Sequence, residues 1–462
     1  MSHMNQEKPN VIVFFTDQQR MDTTGVHGNP LGLTPHFDRI AREGTHLYNT
    51  FTCQPVCGPA RSCLQTGMYA TATGCYRNGI PLPEDSRTMA HYFKDAGYDT
   101  GYIGKWHLAE QEPVPIEERG GYDYWLAANL LELSSDAYST VLYDNDCNEV
   151  KLPGYRVDAQ TDAAIRYIDG HRDQPFFLFL SYLEPHHQNH TDNYPAPDGY
   201  EDLYTDRWTP PDLKALGGSS PQHLGGYYGM VKRLDEALGR LLDALKSLKL
   251  SDNTIILFTS DHGNHFKTRN GEYKRSAHDS SIRVPAALYG PGFMQGGQIR
   301  EMVSLIDFPP TLLAAAGIDV PSQMQGHSIM PLVRRDNSDW QEEAFIQISE
   351  SQVGRAIRTK RWKYAVTAPD LSGWDEPGSK EYVEALLYDL EADPYELTNL
   401  AGIESYRTVA DDLKNRLIIR MIEAGEEAPI IHSAEPRAAG QRRVSIEELR
   451  LKLQPESSSM NN

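Results

Sequence analysis

The sequence is poor in cysteine, in basic runs and in long apolar stretches, and each shortage excludes something. Five cysteines in 462 residues cannot make a disulfide framework for a chain this long. No stretch approaches the roughly 20 apolar residues that a membrane helix needs, and no signal-peptide h-region is present. Lysine and arginine (44) are outnumbered by aspartate and glutamate (64), giving a net charge of −20. With no basic stripe, that balance excludes nucleic acid as a partner. It also excludes capture of a polyanion by overall charge, so any bound anion must be held by local cations. No internal repeat stands out. Met1-Ser2-His3-Met4 reads as a cloning remnant that can have replaced an export signal, so the location stays open between cytoplasm, marginally preferred, and periplasm or secretion.

What remains is a globular composition, 39% hydrophobic and 10% aromatic, long enough for one large domain and a smaller one. Asn10 to Phe15 is a buried-strand pattern, and similar runs recur at Tyr98 to Ile103, Pro175 to Tyr182 and Thr254 to Thr259. Helical patterns lie between them at Thr34 to Glu43, Ser86 to Ala96 and Tyr227 to Leu248, the last with apolar residues at i, i+3, i+4 and i+7. Alternating strands and helices predict an α/β fold with a sheet covered on both faces. Sites in such sheets gather at the carboxyl ends of the strands. Asp17, Lys105, His186 and Asp261 each follow one of the four strands and can converge on one crevice. From about Asp336 the texture changes. Arg358 to Ala365 and Leu387 to Leu390 read as strands of a small antiparallel sheet, Tyr406 to Gly425 as a helix, and the end after Pro455 as a disordered tail. The expected division is 5–335, 336–455 and a tail of 456–462.

Cys57-Gly58-Pro59-Ala60-Arg61 leads into Leu64-Gln65-Thr66-Gly67. Alone, a cysteine beside Gly and Pro fits a buried thiol or a turn. Cys53, Cys57 and Cys63 lack the C-x-x-C pairs usual in structural zinc sites. Other segments keep it company: Asp17-Gln18, Gly101 to Leu108 (GYIGKWHL), Glu184-Pro185-His186-His187, Ser260-Asp261-His262-Gly263 and Lys274 to Gly292. Asp307 to Ile318, Arg361 to Tyr364 and Tyr388 to Leu390 follow further along. In this order the segments resemble the type I sulfatases over roughly Pro9 to Leu400. Asp-Gln with Asp-His also resembles the phosphonate monoester hydrolases, close relatives that carry C-G-P-A-R.

The resemblance implies an alkaline-phosphatase-like fold: a large, mostly parallel mixed sheet between helices, with a smaller C-terminal antiparallel-sheet subdomain. It implies that a formylglycine-generating enzyme oxidises Cys57 to formylglycine. One hydroxyl of the hydrated aldehyde attacks sulfate, and the other later collapses the adduct. Asp17, Gln18, Asp261 and His262, with the residue at 57, would hold Ca²⁺. Gln18 lowers the ligand charge by one and His262 adds a softer nitrogen, which keeps Mn²⁺ or Zn²⁺ open. Arg61 would orient the diol, Lys105 and Lys274 would bind sulfate oxygens, His107 would serve as the base that expels sulfate, and His186 would protonate the leaving alcohol. Asn78 is a pocket residue.

The expected activity is hydrolysis of a sulfate ester on a saccharide. The segment Gln188 to Pro211, rich in Tyr, Asp, His, Asn and Pro, suits a hydroxyl-rich ligand and equally suits a solvated loop. A phosphonate monoester or phosphodiester hydrolase is the alternative enzyme, and a non-catalytic binder of sulfated glycans the alternative outside enzymes. Neither nucleic acid nor membrane is an expected partner. The sugar and the oligomeric state are not legible.

Overall fold

The four strand-like apolar runs become the centre of one large sheet. The structure is a computed structural model, and it describes residues 8–438; the expected tail 456–462, with 439–455 before it, lies outside the described residues. In chain order the strands of this sheet are β1 (Asn10–Thr16), β2 (Thr45–Phe51), β3 (Asp99–Lys105), β4 (Tyr124–Ala128), β5 (Thr140–Tyr143), β6 (Glu149–Leu152), β7 (Phe176–Ser181), β8 (Thr254–Ser260), β9 (Arg283–Val284), β10 (Ala287–Tyr289) and β11 (Gly297–Ser304). They lie in the order β11-β2-β10-β8-β1-β7-β3-β4-β5-β6, with β9 beside β2. From β8 to β4 every pairing is parallel, whereas β10 runs antiparallel to both its neighbours and β5 and β6 close the far edge as a hairpin.

Both faces of the central strands are buried, which is why they read as continuous apolar runs and not as alternating ones. Val11, Val13, Phe15, Phe177, Phe179, Ile255 and Leu257 belong to one core. Their neighbours Ile12, Phe14, Leu178, Leu180, Ile256 and Phe258 belong to the other. The helix Ser220–Ser247 lays Leu234, Leu238, Leu241 and Leu245 on the second face. On the first face lie the helices Cys57–Thr66, Met89–Asp95 and Phe308–Ala315. The helix Ser220–Ser247 starts seven residues before the apolar pattern does, because its first two turns pack on the segment after β7.

The small sheet has the strands β12 (Glu343–Ile348), β13 (Val353–Thr359), β14 (Trp362–Ala368), β15 (Glu381–Asp389) and β16 (Ile430–His432) in that order. β12 to β15 are antiparallel, and β16 adds to β15 in parallel. Here one expectation is corrected. Arg358 to Ala365 is not one strand but a hairpin, turning at Lys360-Arg361, where the two exposed charged side chains sit. The helix Arg407–Glu423 packs Leu413, Leu417 and Met421 into the same core as Phe345 and Ile357.

Parallel register brings the carboxyl ends of four strands to one edge. Thr16 pairs with Ser260, Phe15 with Ser181, and Ser181 with Gly104. Asp17, Asp261 and the loop to His186 start directly beyond that edge, and Lys105 is the last residue of β3. This edge is the site.

Candidate active site

Cys57 is the first residue of the helix Cys57–Thr66 and is 1% exposed. One ammonium, one imidazole and one carboxylate meet it. Lys274 Nζ lies 2.8 Å from Cys57 Sγ, His262 Nε2 lies 3.3 Å from it, and the Asp17 Oδ1 oxygen lies 3.6 Å away. Burial opposes ionisation of the thiol. The charges of Lys105, Lys274 and His262, with a hydrogen bond from His107, outweigh it and hold the Cys57 pKa well below the ordinary thiol value. The site therefore stabilises negative charge at this position.

Asp17 is the hub behind the sulfur. Its Oδ2 accepts from Lys105 Nζ at 2.8 Å and from Arg61 Nη2 at 3.0 Å. Burial and the Cys57 sulfur push its pKa up, yet Lys105, His186 and Arg61 bring it below the usual carboxylate range. Arg61, one helical turn after Cys57, lies over the Phe15 ring and donates from Nη1 to the Lys105 carbonyl and to Ser181 Oγ. Its contacts are thus to the carboxylates and strand ends, including Asp261 Oδ2 at 3.5 Å. Lys105 is fully buried, and burial alone would strip its proton. Asp17, Cys57 and Glu132 instead raise its pKa.

On the other side of Cys57, Lys274 Nζ also lies 3.1 Å from His186 Nε2. His186 Nδ1 is 2.6 Å from the His187 carbonyl, an acceptor that fixes the proton on Nδ1 and turns Nε2 towards Lys274. Burial first, then the Lys274 charge, lowers the His186 pKa. His107 has a left-handed backbone (φ 60°) and its amide bonds to the Asn129 carbonyl, which turns the ring back from the end of β3. Asn78 does not reach the sulfur. Its Oδ1 accepts the Gly58 amide at 2.9 Å, and its own amide donates to Glu350 Oε1 at 2.8 Å, so it fixes the first turn of the Cys57 helix.

Glu132 was not visible in the sequence. It sits in the short turn of helix Leu131–Ser134, and its Oε1 lies 3.0 Å from Lys105 Nζ and 3.7 Å from His107 Nδ1. Burial raises its pKa, but Lys105, His107 and His186 pull it down to about 2. Nothing in Asn129-Leu130-Leu131-Glu132-Leu133-Ser134 marks this carboxylate, because only the pairing of β3 with β4 brings it beside Lys105. Tyr194 was equally hidden. It belongs to the polar segment 188–211 yet is buried, and its hydroxyl accepts from Gln18 Nε2 and from Asn264 Nδ2.

The donor set suits a divalent cation. Asp17, Cys57, Asp261 and His262 offer ligand atoms that all lie within 4.8 Å of one another. Gln18 and Asp261 each bury a side-chain oxygen, Oε1 and Oδ2, without a hydrogen-bond partner. Such orphaned acceptors are costly unless something positive faces them; Arg61 Nη2, 3.5 Å away, faces Asp261 Oδ2, whereas Gln18 Oε1 has no hydrogen-bond donor among the described residues. Gln18 adopts a left-handed backbone (φ 68°) held by its amide bond to Asp261 Oδ1, and Tyr194 takes its amide group, leaving Oε1 facing elsewhere. His262 Nδ1 lies 2.9 Å from the Gly263 carbonyl, which leaves Nε2 as the lone-pair atom towards Asp17 and Asp261. Burial and the neighbouring Asp17 charge push the Asp261 pKa up to about 7, a crowding of carboxylates that a cation relieves.

Carboxylates, lysines and histidines at the ends of parallel strands, around a helix N-terminus, make a site for an anionic ester. The chain belongs to the sulfatase family: residues 9–318 match the Sulfatase family model, and residues 271–423 match that of the N-sulphoglucosamine sulphohydrolase C-terminal region. It is similar to the ulvan-active sulfatase of Formosa agariphila, 33% identical over 440 residues that cover 91% of this chain and 82% of that one. Among solved structures, a Bacteroides fragilis protein assigned as the sulfatase YidJ superposes with a TM-score of 0.80 at 27% identity, over 92% of this chain and 98% of the other. The phosphonate monoester hydrolase of Agrobacterium radiobacter shares the fold, with a TM-score of 0.71 at 24% identity over 90% and 96% of the two chains. The protein is an enzyme that hydrolyses sulfuric esters.

Proposed function

We propose that the substrate is a sulfated carbohydrate and that the nucleophile is formylglycine, made from Cys57 by a formylglycine-generating enzyme. The observation that carries this reading is the convergence of Lys274 and His262 on the Cys57 sulfur at a helix N-terminus. A formylglycine hydrate at that place supplies one hydroxyl for attack at sulfur and a second whose deprotonation releases sulfate, which avoids a second displacement at a charged centre. Asp17, Gln18, Asp261 and His262 would hold the cation, with calcium favoured by the three oxygen donors and manganese or zinc by the imidazole. Bound there, it supplies positive charge beside the nucleophile.

The remaining roles fall to this chain's own side chains. Lys105 and Lys274 flank residue 57 and hold the oxygens of the transferring sulfate. Glu132 and Asp17 keep Lys105 charged and aimed. His107 takes the proton of the second hydroxyl. An anionic ester entering beside Lys274 draws its ammonium away from His186 Nε2; that nitrogen then takes a proton from solvent and passes it to the leaving oxygen. A sugar alkoxide needs it, whereas a phenolate leaves unaided. A carbohydrate is supported by the names of the ulvan-active relative and of the matching C-terminal family. Desulfation of a panel of defined sulfated sugars by protein carrying the modified residue 57 tests the reading; turnover of nitrophenyl sulfate but of no sugar sulfate would defeat the carbohydrate part.

A second reading, a phosphonate monoester or phosphodiester hydrolase, is favoured by one residue. Gln18 puts a neutral amide where sulfatases commonly have a carboxylate. Relative rates on nitrophenyl sulfate and on a phenyl phosphonate monoester decide between them.

A further inference from the structure

The rim next to Asn78 is built jointly by the two sheets. The loop between β14 and β15 reaches across to Tyr76-Arg77, where Tyr76 Oη donates to the Asp375 carbonyl at 3.1 Å. It is anchored at Gly373, whose carbonyl accepts the Glu350 amide at 2.9 Å. Glu350 in turn accepts the Asn78 amide and pairs with Arg275, the neighbour of Lys274. A Cβ at Gly373 would come within 2.8 Å of the Glu350 nitrogen and of the Gln352 backbone, so only glycine lets the loop lie this flat. The result is that Trp374 stands 47% exposed with the Arg77 guanidinium 5.8 Å from its ring centre. Arg77 makes no ion pair among the described residues; its Nη1 donates to the Asn78 carbonyl at 3.0 Å, and its Nε is buried without a partner. Its side chain leaves the backbone one residue before Asn78, which touches the turn that carries Cys57.

A half-exposed indole offers a flat apolar face that a sugar ring can cover, and a guanidinium whose Nη2 makes no hydrogen bond among the described residues keeps one arm of its planar fork for a carboxylate or sulfate. In a chain of net charge −20, such a pair, next in sequence to the Asn78 that holds the Cys57 helix, stands apart from any general basic surface. We propose that Arg77 and Trp374 form a subsite for a second sugar ring bearing an anionic group, so that the preferred substrate is an acidic oligosaccharide and not a single sugar sulfate. Trp374 covers the apolar face of that ring, and Arg77 binds its carboxylate or sulfate. This assignment rests on the carbohydrate reading above and adds substrate length and charge to it.

The test compares wild type with Arg77→Gln and Trp374→Ala on nitrophenyl sulfate, on monosaccharide sulfates, and on tetrasaccharides of ulvan, heparan sulfate and chondroitin sulfate. Binding of the same tetrasaccharides to a Cys57→Ala background is measured by calorimetry, so that the result does not depend on which bond is cut. The expected result is at least a tenfold fall in the ratio of oligosaccharide to nitrophenyl sulfate kcat/KM, carried mainly by KM, with a matching loss of tetrasaccharide affinity. An unchanged ratio in both variants, on a tetrasaccharide that wild type desulfates, overturns the subsite and leaves the carbohydrate reading standing. Equal losses on every substrate overturn it too, since they mark a structural role through Asn78. If wild type hydrolyses nitrophenyl sulfate but neither binds nor turns over any saccharide, the carbohydrate reading falls and the subsite falls with it.

Discussion

A lysine ammonium 2.8 Å from the sulfur of Cys57 is the residue-scale statement of the chemistry. Lys274→Ala removes one of the two ammonium groups beside the reacting atom, and the loss of one preorganised charge donor typically costs about 10²–10³ in kcat. Steady-state rates on nitrophenyl sulfate check that, and a loss below about tenfold would remove Lys274 from the sulfate site. His186→Ala should depend on the leaving group, with little effect on nitrophenyl sulfate and a loss of about 10²–10⁴-fold on a sugar sulfate. Equal losses on both would mean that His186 is not the acid. Glu132→Gln keeps the shape but removes the charge between Lys105 and His107. Supporting partners of this kind typically cost about 10–100-fold in activity, with folding intact by thermal melt. The cysteine motif, the lysines and the histidines were legible because each lies in a recognisable local pattern. Glu132 and Tyr194 were not, since their parts are assigned by neighbours far away in the chain.

At the scale of elements, the strong signals were the four central strands, whose burial on both faces demands uninterrupted apolar residues. Weaker were the edges. β5 and β6 are short and half-exposed, so nothing in their sequence separates them from loop. The hairpin at Lys360-Arg361 was read through as one strand because its turn contains neither glycine nor proline, the usual punctuation. The two sheets share apolar cores, with Phe51, Ile282 and Met302 packed among Ile346 and Ala356, and a buried ion-pair cluster adds to that join. Asp279 lies between Arg358 and Lys363, and Lys363, fully buried, also pairs with Glu396. Burial opposes ionisation of Asp279, but Arg358 and Lys363 hold its pKa far below the usual carboxylate range. A depressed folded pKa contributes stability that is present above the unfolded value, about 3.9, and is lost as pH falls through the folded one. Asp279→Asn should therefore destabilise the protein at pH 7 by about 3 kcal/mol, the low end for breaking a buried pair because Glu396 still serves Lys363. The variant should also show a shallower loss of stability on acidification than wild type. Urea melts at pH 7 and at about pH 3, inside the window where the contribution is being lost, measure both; an unchanged midpoint at pH 7 would show the cluster to be dispensable.

For the whole molecule, the α/β architecture follows from the order of strands and helices, and the clustering of the site follows from parallel pairing, which sends β8, β1, β7 and β3 to one edge. An anionic substrate approaches a protein of net charge −20, so binding depends on charges concentrated at that edge. A cation held by the folded state alone adds stability by mass action. Chelation should lower the melting temperature of wild type by a few degrees and leave Asp261→Ala unmoved, and an equal shift in both would place the cation elsewhere. The central claim is that residue 57 acts as an aldehyde hydrate and not as a thiol. Peptide mass analysis of protein with full sulfatase activity tests it most directly. The account predicts formylglycine at position 57, in a fraction that rises and falls with specific activity across preparations, and intact Cys53 and Cys63. Full activity in a preparation whose Cys57 is an unmodified thiol throughout would contradict it.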